Sequence, residues 1–286
     1  MLHKAFVCIL ALHLFGWSHA AVVYDTVYIN KGLITMVDGS NHDYYSFNAT
    51  TTFETTNKRI EIGLGDSLYL AIVNTDAVVH GFDVTNTSSY STNIPATDTV
   101  EVPMKFEDLG VYIFYDNANY PNFRYLGLGG MIVVDDFSGT QFYWNIKDHE
   151  GDWNDSLDAG WTVDWNDYYP DYFTINGYSN PLINDDPDAR IVGSVGETMR
   201  IYISNTGEGI HSLHFHGYHL NILYSSKHPN HVGRSKDTFP IESMETLILE
   251  LVPDKVGEYP VHDHNLVAVS GGNIYPNGMF LTMLIE

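Results

Sequence analysis

The chain has 286 residues, with 36 acidic side chains, 13 basic side chains and a formal net charge of −23. This length suits one large or two medium domains, and so negative a balance excludes nucleic-acid binding and docking on anionic membranes while favouring cations. The 24 glycines, 11 prolines and 14% aromatic residues also exclude a disordered or low-complexity chain.

The first 20 residues have the pattern of a secretory signal peptide. Lys4 lies in a short basic start, residues 5–17 form an apolar run too short to span a bilayer, and residues 18–20 (SHA) resemble a cleavage site. The single cysteine, Cys8, lies in this segment, so cleavage leaves no disulfide, no thiolate ligand and no cysteine nucleophile. The sequence therefore predicts a secreted protein, extracellular or periplasmic, with no membrane-spanning segment.

Short runs of alternating or solidly apolar residues follow, separated by Gly, Asn, Asp and Pro. They have the length and the β-branched content of strands, and no window keeps a helical period long enough to compete. The runs lie at residues 59–73, 100–104, 111–115, 131–134, 200–204, 245–252 and 279–285. Strands at this spacing predict an all-β fold of the sandwich type.

An internal repeat relates the two halves of the chain. Residues 65–75 (GDSLYLAIVNT) match residues 196–206 (GETMRIYISNT), at an offset of 131 positions. Two tandem β-sandwiches explain the length, the repeat and the number of strands together. The sequence therefore predicts a first domain at 21–138 and a second at 139–286, with the boundary near Gly139.

Two histidine pairs in the second predicted domain carry the strongest chemical signal. His214 and His216 are two residues apart in a predicted strand, and His262 and His264 repeat this spacing, so both members of each pair point to one face. Neighbouring strands would bring four imidazoles together, a set that suits copper, zinc or non-haem iron. Without a metal, crowded imidazoles are costly to bury and repel each other when protonated. We therefore predict a metal site at these four residues.

Other polar residues lie apart from the four. His211 and Asp263 point to the opposite face of the same strands, where they could form a separate polar or metal site. His80 stands alone in the first half, with Asp83 and Met131 as candidate neighbours. For His80 the sequence leaves a structural role open beside a metal-binding one.

These motifs resemble the copper signature of the multicopper oxidases. The resemblance is carried by residues 211–217 (HSLHFHG), 259–264 (YPVHDH) and 278–279 (GM). Residues 264–267 (HNLV) are similar to a segment of two-domain copper nitrite reductases, and 79–84 to the first ligand strand of cupredoxins. The resemblance implies two tandem cupredoxin-like (plastocyanin-like) Greek-key β-sandwiches with copper as the cofactor, zinc being the alternative. It also implies a homotrimer with copper held between subunits.

The resemblance assigns a role to each metal candidate. His80 and Asp263 are secondary candidates, as is the axial Met279. The implied roles are His214 as a type 2 copper ligand, His216 and His262 as ligands of one type 3 copper, His264 as a ligand of the other, His211 as the first type 1 histidine and Met279 as its axial ligand.

The sequence also departs from the family pattern. Asp116 and Asp263 occupy the type 1 cysteine positions, and Ala268 stands where the second type 1 histidine is expected. Tyr115 and Asn117 replace a histidine pair that would complete a trinuclear cluster. Because a blue copper site needs a thiolate, we predict no type 1 centre and no laccase-type electron relay. What remains could hold one copper, or two at most.

Two functions stay open at this stage. The favoured one is a secreted copper-binding, multicopper-oxidase-like protein with residual oxidoreductase activity on a small molecule or a metal ion. The alternative is a non-catalytic cupredoxin-like module for metal storage, surface binding or assembly, whose histidines hold zinc. The acidic and aromatic segment 152–173 is open to carbohydrate, calcium or a partner, or is a solvated loop with packed aromatic side chains.

Overall fold

The computed structural model describes residues 20–87 and 90–286. Within these ranges the chain forms twenty strands in four sheets and two short helices, α1 (Asn122–Tyr125) and α2 (Gly151–Asp158). The predicted signal peptide lies outside the described residues, apart from its last residue. No helix in the described part of the chain is long and apolar enough to cross a membrane.

The first nine strands form two sheets. Their bounds are β1 (Val22–Thr35), β2 (Asn41–Asn48), β3 (Ile60–Ile62), β4 (Ser67–Asn74), β5 (His80–Val84), β6 (Thr92–Ile94), β7 (Thr99–Lys105), β8 (Gly110–Tyr115) and β9 (Gly129–Val134). One sheet has the order β2-β1-β4-β7 and the other β3-β9-β8-β5-β6. Only the pairs β1–β4 and β3–β9 are parallel among the described pairings of these strands.

The remaining eleven strands form the other two sheets. Their bounds are β10 (Thr140–His149), β11 (Tyr172–Ile175), β12 (Val192–Gly193), β13 (Met199–Asn205), β14 (His211–Phe215), β15 (Leu220–Ser225), β16 (Ser235–Lys236), β17 (Thr238–Ile241), β18 (Thr246–Leu251), β19 (Gly257–Asp263) and β20 (Phe280–Ile285). The strand orders are β11-β10-β13-β18-β15-β16 and β12-β20-β19-β14-β17.

The two halves share one topology. The run β11-β10-β13-β18 repeats β2-β1-β4-β7, and β12-β20-β19-β14-β17 repeats β3-β9-β8-β5-β6. The parallel pairs recur as β10–β13 and β12–β20. This architecture confirms the predicted all-β fold of two cupredoxin-like sandwiches. The boundary near Gly139 stays a prediction; the chain passes from β9, which ends at Val134, to β10, which begins at Thr140.

Alternating burial builds each core. In β4 the side chains of Leu68, Leu70 and Ile72 are fully buried, whereas their neighbours are partly exposed. Burying one such side chain stabilises the fold by about 1.5–3 kcal/mol. The apolar run 59–73 does not form one strand, because a turn at Gly65, where φ is +84°, separates β3 from β4.

The acidic, aromatic segment is helical in part, and residues 159–171 form a largely exposed loop with aromatic side chains packed on the first core, as one of the predicted alternatives has it. It includes α2 and a 3₁₀ turn at Trp165–Asp167, although no helical period had been apparent in the sequence. Leu157 is buried in the apolar core of the first pair of sheets, and Trp153 and Trp165 pack against that core. The chain of the second half therefore helps to cover the first core.

The two halves are joined by apolar and charged contacts. Val111 of β8 and Met131 of β9 pack with Tyr202 of β13 and Ile248 of β18. Arg124 of α1 is 1% exposed, donates hydrogen bonds to the carbonyls of Thr206 (2.8 Å) and Gly207 (2.9 Å), and forms an ion pair with Glu208. These contacts hold the first half against the loop that precedes β14.

Candidate metal centre

Strand geometry brings the predicted histidines together. β14 and β19 are antiparallel neighbours, and His214 lies directly opposite His262. Leu213 and Phe215 on the same strand are buried in the second core, so the alternate position, His214, faces away from it. His216 follows the end of β14, and its backbone N–H donates to the carbonyl of Pro260 (3.1 Å).

The four imidazole rings form one cluster at the protein surface. The ring centroid of His214 lies 4.5 Å from that of His216, 5.6 Å from that of His262 and 5.5 Å from that of His264. His216 and His262 are 5.1 Å apart. Three of the rings are half-buried, whereas His264 is exposed. We call these four residues the histidine quartet.

One pair in the quartet has the spacing of two ligands of one ion. The Nε2 atoms of His216 and His262 are 3.0 Å apart. Without a metal this contact is a hydrogen bond, in which the Nε2–H of His216 donates to Nε2 of His262, because the hydrogen of His262 is on Nδ1. Two nitrogens that bind one ion at about 2.0–2.1 Å are separated by about 3 Å. Over residues 20–87 and 90–286, no three His, Cys, Asp or Glu side chains converge as a ready metal-binding group. The pair thus has two nitrogens at ligand spacing, and the rings of His214 and His264 lie beside it.

The quartet favours neutral imidazoles. Burial lowers the pKa of His216, and the nearby His214 and His262 lower it further because like charges repel. A neutral imidazole carries the lone pair that a metal needs. The donor set of four nitrogens suits copper or zinc, so the residues fit the implied metal.

Two of the rings are oriented through their Nδ1 atoms. Nδ1 of His214 lies 2.9 Å from the Thr238 hydroxyl, and that hydroxyl donates to Asp237 Oδ1 (3.0 Å). This hydrogen bond lowers the pKa of the Asp237 carboxyl. The Nδ1–H of His262 donates to the backbone carbonyl of Asp263 (2.8 Å). Outer contacts of this kind set the tautomer and the direction of a ligand histidine.

A buried His–Asp pair occupies the opposite face of β14 and β19. The Nδ1–H of His211 donates to Asp263 Oδ2 (2.6 Å), and Oδ1 of the same carboxylate accepts the backbone N–H groups of Ser212 (3.1 Å) and Asn265 (2.8 Å). Both side chains are at most 2% exposed. Nε2 of His211 has no hydrogen-bond partner in the described part of the chain, and Asp148 Oδ2 lies 4.0 Å away.

The first half contains an equivalent pair. The Nδ1–H of His80 donates to Asp116 Oδ2 (2.6 Å), and Asp116 Oδ1 accepts the backbone N–H groups of Gly81 (2.8 Å) and Ala118 (2.7 Å). Burial raises the pKa of Asp116, although its bond to His80 opposes this shift. Nε2 of His80 faces Asp76 Oδ2 at 3.3 Å. The hydrogen-bond partners of His80 are therefore Asp116 and Asp76, and neither of the candidate neighbours Asp83 and Met131.

The other type 1 candidates lie in the core of the second half. Met279 is 1% exposed and Ala268 is fully buried, and both belong to the same apolar cluster. The carbonyl of Met279 accepts the backbone N–H of Asp263 (3.2 Å), which connects it to the His–Asp pair. The contact of Met279 with Asp263 is therefore between backbone atoms, whereas the Met279 side chain packs in the apolar core.

The first half offers oxygen atoms where the second offers imidazoles. Asp83 lies opposite Tyr115 in the ladder of β5 and β8, as His214 lies opposite His262. The Tyr115 hydroxyl donates to Asp83 Oδ2 (3.3 Å), and Asn117 Nδ2 donates to the Ser91 hydroxyl (2.8 Å). The strand register thus agrees with the sequence repeat, in which Asp83 corresponds to His214 and Tyr115 to His262.

Several residues of these sites could not be identified from the sequence. Thr238 of β17 contacts His214, Asp237 just before it contacts Thr238, and no motif in the sequence points to either residue. Asp76 and Asp148 approach the second nitrogens of the two buried histidines. Asp76 precedes His80 by four residues, which is a weak signal, whereas Asp148 comes from the distant β10 and gave none.

Comparisons with known proteins support the predicted resemblance. Residues 163–284 match the family model of multicopper oxidases. A blue copper oxidase from Nitrosomonas europaea has a TM-score of 0.77 and 19% identity, with 93% of this chain and 86% of that chain covered. No curated protein matches the sequence.

Copper nitrite reductases have the same fold. The enzyme NirK from Thermus scotoductus has a TM-score of 0.73 and 19% identity, with 93% of this chain and 62% of that chain covered. The copper nitrite reductase from Nitrosomonas europaea has a TM-score of 0.72 and 17% identity, with 93% and 94% covered. At this identity the structures establish the fold, and the family model connects the second half to the multicopper oxidases.

Proposed function

We propose that this chain, which matches the multicopper oxidases over residues 163–284 and has the two-domain cupredoxin fold, is an exported copper-binding protein with a histidine-only copper site. The observation that carries the proposal is the histidine quartet, in which the Nε2 atoms of His216 and His262 are 3.0 Å apart. Copper, when bound there, supplies one-electron redox chemistry. The quartet offers enough nitrogens for one copper ion, or for two with shared or additional ligands.

The chain's own residues support a site open to small substrates. His264 is exposed, so its ring borders solvent. Thr238 and the carbonyl of Asp263 hold His214 and His262 by their Nδ1 atoms. The net charge of −23 attracts metal cations toward the protein. We therefore propose a phenol or a reduced metal ion, Cu(I) or Fe(II), as the class of substrate for a residual oxidoreductase activity.

The proposal includes the absence of a blue copper (type 1) centre. Asp263 and Asp116 engage His211 and His80 through short hydrogen bonds, and neither carboxylate can replace the thiolate of a type 1 site. The copper-loaded mature protein is expected to have no intense thiolate-to-copper absorption in the visible range. Such a band would show that a cysteine ligand remains and would contradict this part of the proposal.

We further propose a homotrimer in which a neighbouring subunit completes each copper site. The exposed position of His264 and the incomplete convergence of the quartet support this arrangement. Light scattering is expected to give three times the subunit mass. A monomeric mass would contradict the trimer and leave the quartet as the whole site.

The experiment that tests the function combines metal analysis with oxygen consumption. We expect one to two copper ions per chain after loading, and slow oxygen uptake with a phenol, Cu(I) or Fe(II). A His262→Ala variant serves as the inactive control because it removes one of the two closely paired Nε2 atoms. A wild-type protein that retains no copper after dialysis would overturn the proposal.

The alternative is a non-catalytic metal-binding module. The observation in its favour is that Asp263 and Asp116, which stand at the type 1 cysteine positions implied by the resemblance, are each hydrogen-bonded to a buried histidine. Without a thiolate at these positions, the usual entry point for electrons is missing. Copper or zinc binding without any oxygen uptake above that of the His262→Ala variant would identify the chain as such a module.

A further inference from the structure

We infer that Thr238 and Asp237 are positioning residues that hold the His214 imidazole in one tautomer, with N–H at Nδ1 and a free lone pair at Nε2. The inference rests on the proposed function, because it concerns one ligand of that same copper site. It assigns a role to two side chains that no motif in the sequence marks.

The direction of the hydrogen bonds follows from counting hydrogens. Asp237 Oδ1 lies 3.0 Å from the Thr238 hydroxyl, and an ionised carboxylate can only accept. The single hydroxyl hydrogen of Thr238 is therefore directed to Asp237. The hydroxyl oxygen then presents a lone pair to Nδ1 of His214, 2.9 Å away, so this nitrogen must carry the hydrogen. A neutral imidazole with N–H at Nδ1 has its lone pair at Nε2.

Backbone ladders hold the three residues in place. His214 and Thr238 are directly paired in the antiparallel ladder of β14 and β17. The carbonyl of Asp237 accepts the backbone N–H of Phe215 (2.8 Å), so the carboxylate is held at the end of the same ladder. Thr238 and Asp237 are only half-exposed. The hydrogen bonds from His214 to Thr238 and from Thr238 to Asp237 are thus held by paired strands, and their geometry does not depend on a flexible loop.

His262 provides an internal comparison. Its Nδ1 also faces an obligate acceptor, the backbone carbonyl of Asp263, at 2.8 Å. Both rings therefore present the lone pair of Nε2. Only the His214 contact runs through side chains, so substitution can remove it while the backbone stays intact. Removing a partner of this kind typically weakens metal binding by about 10–100-fold.

The first test measures the tautomer in the metal-free protein. Nitrogen NMR of protein labelled with ¹⁵N-histidine distinguishes a protonated from an unprotonated ring nitrogen, and a His214→Gln variant identifies the signals of His214. We expect the Nδ1–H form in the wild type and in Thr238→Ser. In Thr238→Val the preference should be lost, and in Asp237→Ala the freed hydroxyl should favour the Nε2–H form. A wild-type His214 in the Nε2–H form would overturn the inference.

The second test measures metal affinity. Competition titrations with Cu(II) and, separately, with Zn(II) should give a dissociation constant about 10–100-fold higher for Thr238→Val, and within about 3-fold of wild type for Thr238→Ser. Thr282→Val is the matched control, because the Thr282 hydroxyl contacts Asn184 at 3.2 Å and does not touch the quartet. Equal affinities for Thr238→Val and wild type would overturn the inference.

The two tests separate this inference from the proposed function. A wild-type protein that binds neither metal would refute the copper site, and the tautomer measurement in the metal-free protein would then decide the inference alone. A circular dichroism melt of each variant checks folding. Loss of affinity in Thr238→Val with an unchanged melt and a shifted tautomer is the expected result.

Discussion

At the scale of single residues, a carboxylate performs the same structural task in both halves. Asp116 and Asp263 each accept a histidine N–H and two backbone N–H groups while fully buried. Three donors satisfy most of the hydrogen-bonding capacity of the carboxylate, which offsets the cost of burying it. Through these hydrogen bonds the two aspartates connect neighbouring strands. The resemblance implies a metal-binding cysteine at both positions.

Removing this carboxylate should destabilise the fold. Asp263→Ala leaves the buried Nδ1–H of His211 without an acceptor, at an expected cost of about 1–3 kcal/mol, and also removes the acceptor of two part-buried backbone N–H groups. Asp263→Asn keeps one acceptor oxygen and should cost less. Urea unfolding of the metal-free protein gives these values. Glu258→Ala is the control, because its ion pair with Arg190 is exposed and should be worth less than about 1 kcal/mol.

Removing one imidazole of the quartet should affect the metal-bound protein selectively. Metal at about 100 times its dissociation constant stabilises the native state by about 2.7 kcal/mol. His264→Ala should therefore lower copper stoichiometry or affinity and reduce the melting temperature of the loaded protein far more than that of the metal-free protein. His228→Ala, whose ring contacts Glu242 in a loop, should change neither. An unchanged difference between loaded and metal-free melting temperatures in His264→Ala would refute a metal role for this residue.

At the scale of elements, the inner strand β10 has ionisable side chains that are buried. Lys147 and His149 are buried along it, and the amino group of Lys147 donates to the carbonyl of Arg124 (2.8 Å). Burial, with the nearby charge of Arg124, lowers the pKa of Lys147 to about 7. Burial also lowers the pKa of His149 to about 3, so this ring is neutral. Lys147 of this strand thus connects the two halves through its bond to Arg124. Its burial makes the charged form of the amino group unfavourable.

Lys147 should make stability depend on pH. Its pKa is about 7 when folded and near its usual value of 10.5 when unfolded, so between these values the unfolded chain binds more protons. The free energy of unfolding should therefore rise as pH increases above 7, by at most about 1.4 kcal/mol per pH unit from this group. The slope should be absent in Lys147→Met and present in Lys105→Met, which removes an exposed lysine. Identical pH profiles for wild type and Lys147→Met would contradict the assignment.

At the scale of the whole molecule, one buried guanidinium connects the halves. Arg124 contacts two carbonyls and Glu208 across the junction while almost fully buried. Segment 151–168 adds to the connection, because its apolar side chains pack against the core of the first half. Folding of the two sandwiches should therefore be cooperative.

Loss of Arg124 should uncouple the two halves. Arg124→Ala removes one of two donors from each of the two buried carbonyls and leaves the partly buried Glu208 without its ion-pair partner, at an expected cost of about 1.5–3 kcal/mol. Calorimetry should show one transition in the wild type and two in the variant. Lys105→Ala, which breaks an exposed pair with Glu107, should keep the single transition. A single transition in Arg124→Ala at the wild-type temperature would contradict this role.

Much of the fold could be predicted because it depends on local pattern. Alternation at 100–104 corresponds to β7, whose side chains alternate between core and solvent. The solidly apolar run at 111–115 corresponds to β8, which is buried on both faces because the second half packs against it. The repeat of 65–75 at 196–206 corresponds to the equivalent strands β4 and β13. Helix α2 was missed because its eight residues are held by packing on the first core more than by their own helical period.

The sequence by itself also indicated that the four histidines lie together, because side chains two residues apart in an extended chain share a face. His216 and His264 lie just beyond the ends of β14 and β19, and the centroids of their rings are 4.5 Å and 5.5 Å from that of His214. Only the tertiary structure decided what the remaining polar groups do. Thr238 reaches His214 across a strand pair, and Asp148 approaches His211 from a strand more than sixty positions earlier in the chain. Such partners are chosen by strand register and by the packing of the two halves, and neither leaves a mark at fixed spacing in the sequence.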